Sequence, residues 1–459
     1  MTTNVKTLKL GDVIFQRQGA FIVRFLQFVF SIALRIFFRR IELVNTQNIP
    51  QNSGLIFVMN HQNALIDAAL VFFTLPRKIS FLGKSTIFKM PVLGSVARAV
   101  EALPVYRQSD AKGDTAKNQE TFRLCRELLK KNGAIAIFPE GISHNEPRLM
   151  PLKTGAARIA LGAVSVGQNP NAVNLQIVPL GIYYTNKTDF RSEAMLCFGK
   201  PFPVLPVELN ENGEPEHKFV KELNVKIENA LREVTINAES ENEMQAAGIA
   251  EEIVASVYEK GDPKQTLADK FEFLRDFVEI NEETTPEGED LEKRLAKYDK
   301  KLNKLGIDPE HLALPHYSQW SAVKYLLSKF WYLILLSPLA IVGTILHFPA
   351  YQLTRIPVYF YARNEMRDVA STIKIFAGML FMPLTWLILA GILDYYFGWK
   401  IALLSIPISF LCGYVALRTF EELEEMRGWI NAAWLFLSKR DKFLRLLVER
   451  RKFYEELKR

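Results

Sequence analysis

Between residues 41 and 240, short apolar runs alternate with longer segments whose apolar positions recur at helical spacing. The runs 55–59, 79–82, 134–138, 177–184 and 195–198 predict strands, and 115–131 and 153–166 predict helices. Strands separated by helices imply an α/β domain with a mixed, largely parallel sheet covered by helices. In such sheets the chemistry collects beyond the carboxyl ends of the strands. The Pro- and Asn-rich run 201–215 reads as a surface loop.

The flanks follow other patterns. Residues 1–19 are polar, and 20–40 read as a helix in which Arg24, Gln27, Ser31 and Arg35 form one polar stripe and phenylalanines cover most of the rest. An apolar body with a basic stripe suits a helix lying in a membrane interface, so 1–40 is expected to be an N-terminal interfacial helix. No small-residue cleavage site follows it; Arg39-Arg40 closes the stretch, so a signal peptide is not expected. Residues 241–328 are charged and helical, an insert or linker in which no chemistry is visible. The stretches 330–346, 375–393 and 401–417 are apolar and near bilayer length, so 329–417 is expected to be membrane-embedded.

Arg355, Arg363, Arg367 and Lys374 lie between the first two stretches, and many basic residues follow the third. The positive-inside rule places both sets, and with them the catalytic domain, on the cytoplasmic face. The first stretch must then bend at Ser337-Pro338 and return, leaving two true crossings. The tail 418–459 reads as a basic amphipathic helix for an anionic lipid surface.

Composition narrows the partners. The chain has 459 residues, 49% hydrophobic, 32 Phe and a net charge of +7. A basic balance suits an anionic partner. Because the basic residues follow the membrane segments, that partner is expected to be anionic membrane lipid and phosphorylated substrate, and no nucleic acid. Cys125, Cys197 and Cys412 are far apart, which argues against a disulfide framework or a cysteine-built metal site.

Four stretches carry chemistry. The run 54–59 ends in Asn60-His61, with Asp67 shortly after: a candidate general base and its orienting carboxylate, provided a sharp strand-to-helix turn brings them together. Lys84 and Arg107 offer fixed cations near strand ends, and arginine's planar fork suits phosphate. Phe138-Pro139-Glu140-Gly141 puts a carboxylate on a strand-end turn, with His144 nearby, and Val178-Pro179 bends an apolar strand.

In this order and spacing the four blocks resemble those of the glycerolipid acyltransferases of phospholipid biosynthesis, which acylate glycerol-3-phosphate and lysophosphatidate (lysophosphatidic acid). The resemblance spans roughly 40–205. It implies the acyltransferase fold and transfer of a fatty acyl group from a thioester donor, acyl-CoA or acyl-ACP, to an acceptor hydroxyl. His61 and Asp67 would be catalytic; Asn60, Lys84, Arg107, Glu140 and Gly141 would bind substrate, the two cations clamping the phosphate. No metal or further cofactor is implied. One departure is plain: five residues separate His61 from Asp67, one more than is common in the family. A branch using glycerol-3-phosphate or dihydroxyacetone phosphate carries the same extra residue. The competing readings are a non-catalytic membrane lipid-binding module and a thioesterase-like hydrolase on the same fold.

Overall fold

A computed structural model describes residues 4–7, 21–75, 77–106, 117–165, 174–211, 213–256, 265–281, 286–316, 319–361 and 367–458. Arg107 and Arg363 lie outside the described residues. The chain divides into two units. The first is 1–237 with 266–271 and 366–372; the second is 238–265, 272–365 and 373–459.

The first unit is built on a nine-stranded sheet. Its strands are β1 (Val5–Thr7), β2 (Arg40–Val44), β3 (Gly54–Met59), β4 (Ser80–Lys84), β5 (Leu103–Val105), β6 (Ala134–Ile137), β7 (Leu175–Tyr184), β8 (Glu193–Phe198) and β9 (Phe202–Pro203). The order is β1-β2-β8-β7-β3-β6-β4-β5, with β9 beside β7. β3 runs parallel to both β6 and β7, and β4 runs parallel to β5 and β6. β7 and β8 are antiparallel, as are β1 and β2. The sheet is therefore mixed and largely parallel, as the alternating pattern implies.

Burial explains why these runs are strands. Every residue of β3 and β6 is buried. Ile56, Val58, Ile135 and Ile137 pack with Cys125, Leu129, Ala156, Ile159 and Ile227, from helices Lys117–Lys130, Gly155–Ser165 and His217–Arg232. Leu55, Phe57 and Met59 alternate to the opposite face and are also fully buried. Each such side chain stabilises the fold by about 1.5–3 kcal/mol.

Helix Phe21–Phe37 packs on helix Ala64–Thr74, with Phe30 stacked on Phe73 at 5.3 Å. Phe30, Leu34 and Phe37 are buried while Phe25 and Phe28 stay exposed. The phenylalanines of the expected interfacial helix thus divide between core and surface.

The periodicity does not reveal β1, β2, β5 and β9, which are short or carry charge. β2 contains Glu42, buried between Arg40 at 3.3 Å and the backbone N–H of Leu267 at 2.8 Å. Burial raises the carboxyl pKa of Glu42, opposed first by the charge of Arg40. Residues 266–271, expected to belong to the insert, therefore belong to the α/β unit. Arg39 and Arg40 both grip Glu193 at the start of β8, at 3.0 and 2.9 Å.

The second unit is helical. Among the described residues, three helices are long and apolar enough to cross a membrane: Leu327–Tyr359, Ala370–Phe397 and Trp399–Ser438. The expected bend at Ser337-Pro338 does not occur. Helix Gln319–Tyr361 continues through Pro338, Pro349 and Pro357, so 330–350 is not a re-entrant loop. Each proline removes one backbone donor, whereas reversing the chain would unpair many backbone groups.

Gly343 permits a close approach, since a Cβ there would stand 2.1 Å from the carbonyl oxygen of Cys412. His347 is fixed beside this crossing. Its Nδ1 meets the Gly343 carbonyl at 2.8 Å, and Trp386 Nε1 donates to its Nε2 at 2.7 Å. A carbonyl only accepts and an indole N–H only donates, so the imidazole is the neutral Nδ1–H form.

The tail also differs from expectation. Trp399–Ser438 is one helix, and helix Arg440–Leu457 follows it. The apolar stripe Phe443, Leu446 and Phe453 is buried within the unit, with Phe453 against Tyr298 at 5.5 Å. Arg294–Glu456 and Lys301–Glu449 pairs, each 2.7 Å, flank it. The stripe reads as lipid-facing in the sequence because its protein partner, helix Pro286–Asn303, is about 150 residues away along the chain.

Candidate active site

The carboxyl ends of β3 and β6 lie side by side, with Val58 opposite Ile137. That register places Asn60-His61 next to Phe138-Pro139-Glu140. β7 pairs with β3 up to Leu180 and then runs four residues further, to Tyr184. This overhang holds the exit of β3. Asn60 is buried, donates through Nδ2 to the Ile182 carbonyl at 2.9 Å and accepts the Ile182 N–H at 2.8 Å. Asn60, expected to touch substrate, thus serves to lock β3 to β7.

After Asn60 the chain turns at once into helix Ala64–Thr74. Ala64 takes a positive φ of 38°, a conformation L-residues seldom adopt. The turn brings His61 and Asp67 together across the five residues between them. Asp67 is fully buried and reaches back over it: Oδ2 accepts from His61 Nδ1 at 2.9 Å, Gln62 N at 2.9 Å and Asn63 N at 2.8 Å. Its Oδ1 accepts from the Tyr184 hydroxyl at 2.6 Å. A buried carboxylate needs such donors, because an uncompensated buried charge is costly.

The consequence for His61 is a fixed tautomer. Asp67 can only accept, so Nδ1 carries the proton and Nε2 presents its lone pair. The ring lies flat against Phe138, centroids 4.0 Å apart and planes 19° apart.

Glu140 is turned inward, its side chain fully buried. Oε1 accepts the His61 N–H at 2.7 Å; Oε2 accepts Met150 N at 2.8 Å and meets His144 Nε2. Both oxygens are thus engaged within the protein, which makes Glu140 a brace for the His61 backbone. Gly141 follows at φ 76°, and a Cβ there would come 2.9 Å from Lys153 Cδ. The positive φ is what calls for glycine here, since the flexible end of Lys153 could move aside.

Lys84 ends β4, opposite Val105, at the same carboxyl edge but beyond β6 from His61. His144 joins the site: its N–H donates to the His61 carbonyl at 3.2 Å, and Lys187 Nζ donates to the His144 carbonyl, also at 3.2 Å. Tyr184 is the residue the sequence hides. It lies outside the four blocks in a strand that reads as apolar, and only the length of β7 brings it to Asp67. Burial, then the neighbouring Asp67 charge, pushes its phenol well above the ordinary value.

Among the described residues, one group has metal-ligand spacing: Asp308, Glu310 and His311, in the second unit. His311 Nδ1 accepts the Asp308 N–H at 2.9 Å, which puts the ring proton on Nε2 and leaves no imidazole lone pair for an ion.

Residues 40–183 match the Acyltransferase family, and 252–459 match the Glycerol-3-phosphate acyltransferase 2 C-terminal domain. Glycerol-3-phosphate O-acyltransferase 1 of Saccharomyces cerevisiae is 29% identical over 60% of this chain and 37% of its own length. Glycerol-3-phosphate O-acyltransferase 2 of the same yeast is 26% identical over 58% of this chain and again 37% of its own. An uncharacterized acyltransferase of Schizosaccharomyces pombe is 23% identical over 83% of this chain and 69% of its own. The chain therefore spans little more than a third of the length of the two budding-yeast relatives. The two matches lie in sequence order, the first contains the strand-end blocks, and with the yeast relatives they support a glycerolipid acyltransferase family.

Proposed function

We propose that this chain is a membrane-bound acyltransferase that moves a fatty acyl group from a thioester donor, acyl-CoA or acyl-ACP, to a hydroxyl of glycerol-3-phosphate or lysophosphatidate, with His61 as general base. The observation that carries the reading is the His61–Asp67 contact, which fixes Nδ1–H and turns Nε2 into the acceptor. Nε2 takes the proton of the acceptor hydroxyl as its oxygen attacks the thioester carbonyl. Asp67 stabilises the imidazolium without itself taking the proton. The tetrahedral intermediate collapses, the C–S bond breaks, and the imidazolium returns its proton to the leaving thiolate. The substrate alcohol stands where a serine hydrolase has its own nucleophile, so no acyl-enzyme forms.

Lys84 and Arg107 clamp the acceptor phosphate, and the catalytic unit works on the cytoplasmic face. Of the two acceptors, glycerol-3-phosphate is favoured by the names of the two yeast relatives and of the C-terminal domain. The test is acyl transfer by the purified full chain in nanodiscs, with both donors and with glycerol-3-phosphate or lysophosphatidate. Acylated acceptor is the expected product. Release of free fatty acid whether or not acceptor is present would replace this reading with a hydrolase.

A further inference from the structure

Asp67 is held from two opposite sides, and the functional reading above uses only one. Three donors from the turn that carries His61 converge on Oδ2. The fourth donor comes from another strand and takes Oδ1 alone. We propose that Tyr184 is a positioning residue for acyl transfer: its hydroxyl pins Asp67 from β7 and spreads the carboxylate charge, so that Asp67 orients His61 without holding its proton too firmly. This rests on His61 being the base.

Three observations carry it. The O···O distance is 2.6 Å, in the range of a charge-assisted hydrogen bond. Asp67 can only accept, so the phenol must donate. Finally, Tyr184 has no freedom to serve elsewhere: it is buried, its ring stacks on Phe38 at 5.7 Å, and its strand is locked to Asn60 two residues earlier. The upward shift of the phenol keeps the proton on oxygen through the whole pH range of the reaction, so the donor is permanent.

The removal of one oxygen isolates the effect. Tyr184→Phe keeps the ring stack on Phe38 and deletes only the donor. Asp67 then concentrates its charge on the imidazole, and a proton on His61 is harder to remove. Among the described residues, the other titratable groups facing the pair are Glu140, His144 and Lys187, whose contacts with one another and with the His61 backbone the variant leaves intact.

Two readouts separate this inference from the proposed function. In acyl transfer by the full chain, Tyr184→Phe is expected to lower kcat roughly tenfold with KM within about twofold, and to move the acid limb of the pH–rate profile up by about half a unit. Independently of activity, the pH dependence of His61 modification by diethyl pyrocarbonate, followed by peptide mass spectrometry, is expected to move the same way. A wild-type modification profile in a variant with wild-type thermal melting overturns the proposal, whatever the enzyme acylates. An inactive wild-type chain whose His61 profile still shifts in Tyr184→Phe sinks the functional reading and leaves the Tyr184–Asp67–His61 coupling standing.

Discussion

His61 with Asp67 and His144 with Glu140 are both imidazole–carboxylate pairs at adjacent strand ends, yet they use opposite ring nitrogens. Asp67 grips His61 through Nδ1, the nitrogen next to the backbone, so the distal Nε2 is the one presented. Glu140 meets His144 through Nε2, and the Nδ1 that remains is buried without a hydrogen-bond partner among the described residues. The His61 side chain keeps 15% exposure against 8% for His144. An imidazole held by a carboxylate thus presents its distal nitrogen in one place and is a strut in the other, and the deciding variable is which nitrogen the carboxylate holds.

The largest effect is expected from breaking that contrast directly. His61→Ala should lower kcat by about 10³-fold or more, at unchanged thermal melting, while His144→Ala should retain at least about a tenth of wild-type turnover. Equal losses in both variants would erase the distinction between base and strut.

Asp67→Asn is expected to cost less than His61→Ala, for a reason peculiar to this site. The N–H groups of Gln62 and Asn63 demand an oxygen at the Oδ2 position, so the new amino group must face Tyr184, whose hydroxyl can turn round and accept. The tautomer of His61 survives and only the charge is lost. A fall in kcat of about 10²-fold is expected, in contrast to the roughly 10⁴-fold loss when a triad carboxamide imposes the wrong tautomer. Steady-state kinetics at saturating acceptor distinguish the two.

The smallest effect contrasts a buried group whose burial outweighs the help of its neighbours. Cys125 is fully buried on the sheet side of helix Lys117–Lys130, and burial pushes its thiol up to about 12. At pH 8 it is a thiol, so N-ethylmaleimide should leave it unmodified in the folded protein and label it in denaturant; mass spectrometry of the peptide containing Cys125 reads both.

The sequence is most legible where burial is local. The strand cores β3, β4, β6, β7 and β8 stand out because each is a continuous apolar run, and His61 stands out because it interrupts one. β2 is hidden because Arg40 and Glu42 break its pattern, and what makes them tolerable, Glu193 and the Leu267 N–H, lies elsewhere in the chain. Tyr184 is hidden because a strand's overhang depends on its neighbour's length. The inward turn of Glu140 is hidden because a motif specifies a residue and not the direction of its side chain. The tail helix misleads for the same reason: periodicity reveals a stripe but not what covers it.

The carbonyl of Lys187 has a consequence for where this protein can be cut. It accepts Asn63 Nδ2 at 3.0 Å and also the hydroxyl of Ser371, a fully buried residue of the segment 366–372. Asn63 is in turn one of the backbone donors to Asp67. A chain ending at Asn237 would retain His61, Asp67 and Tyr184, yet it would lose one partner of that carbonyl and the amide that satisfies Glu42. The modularity suggested by two separate family matches stops at the level of hydrogen bonds: the first module is closed by residues that the second supplies.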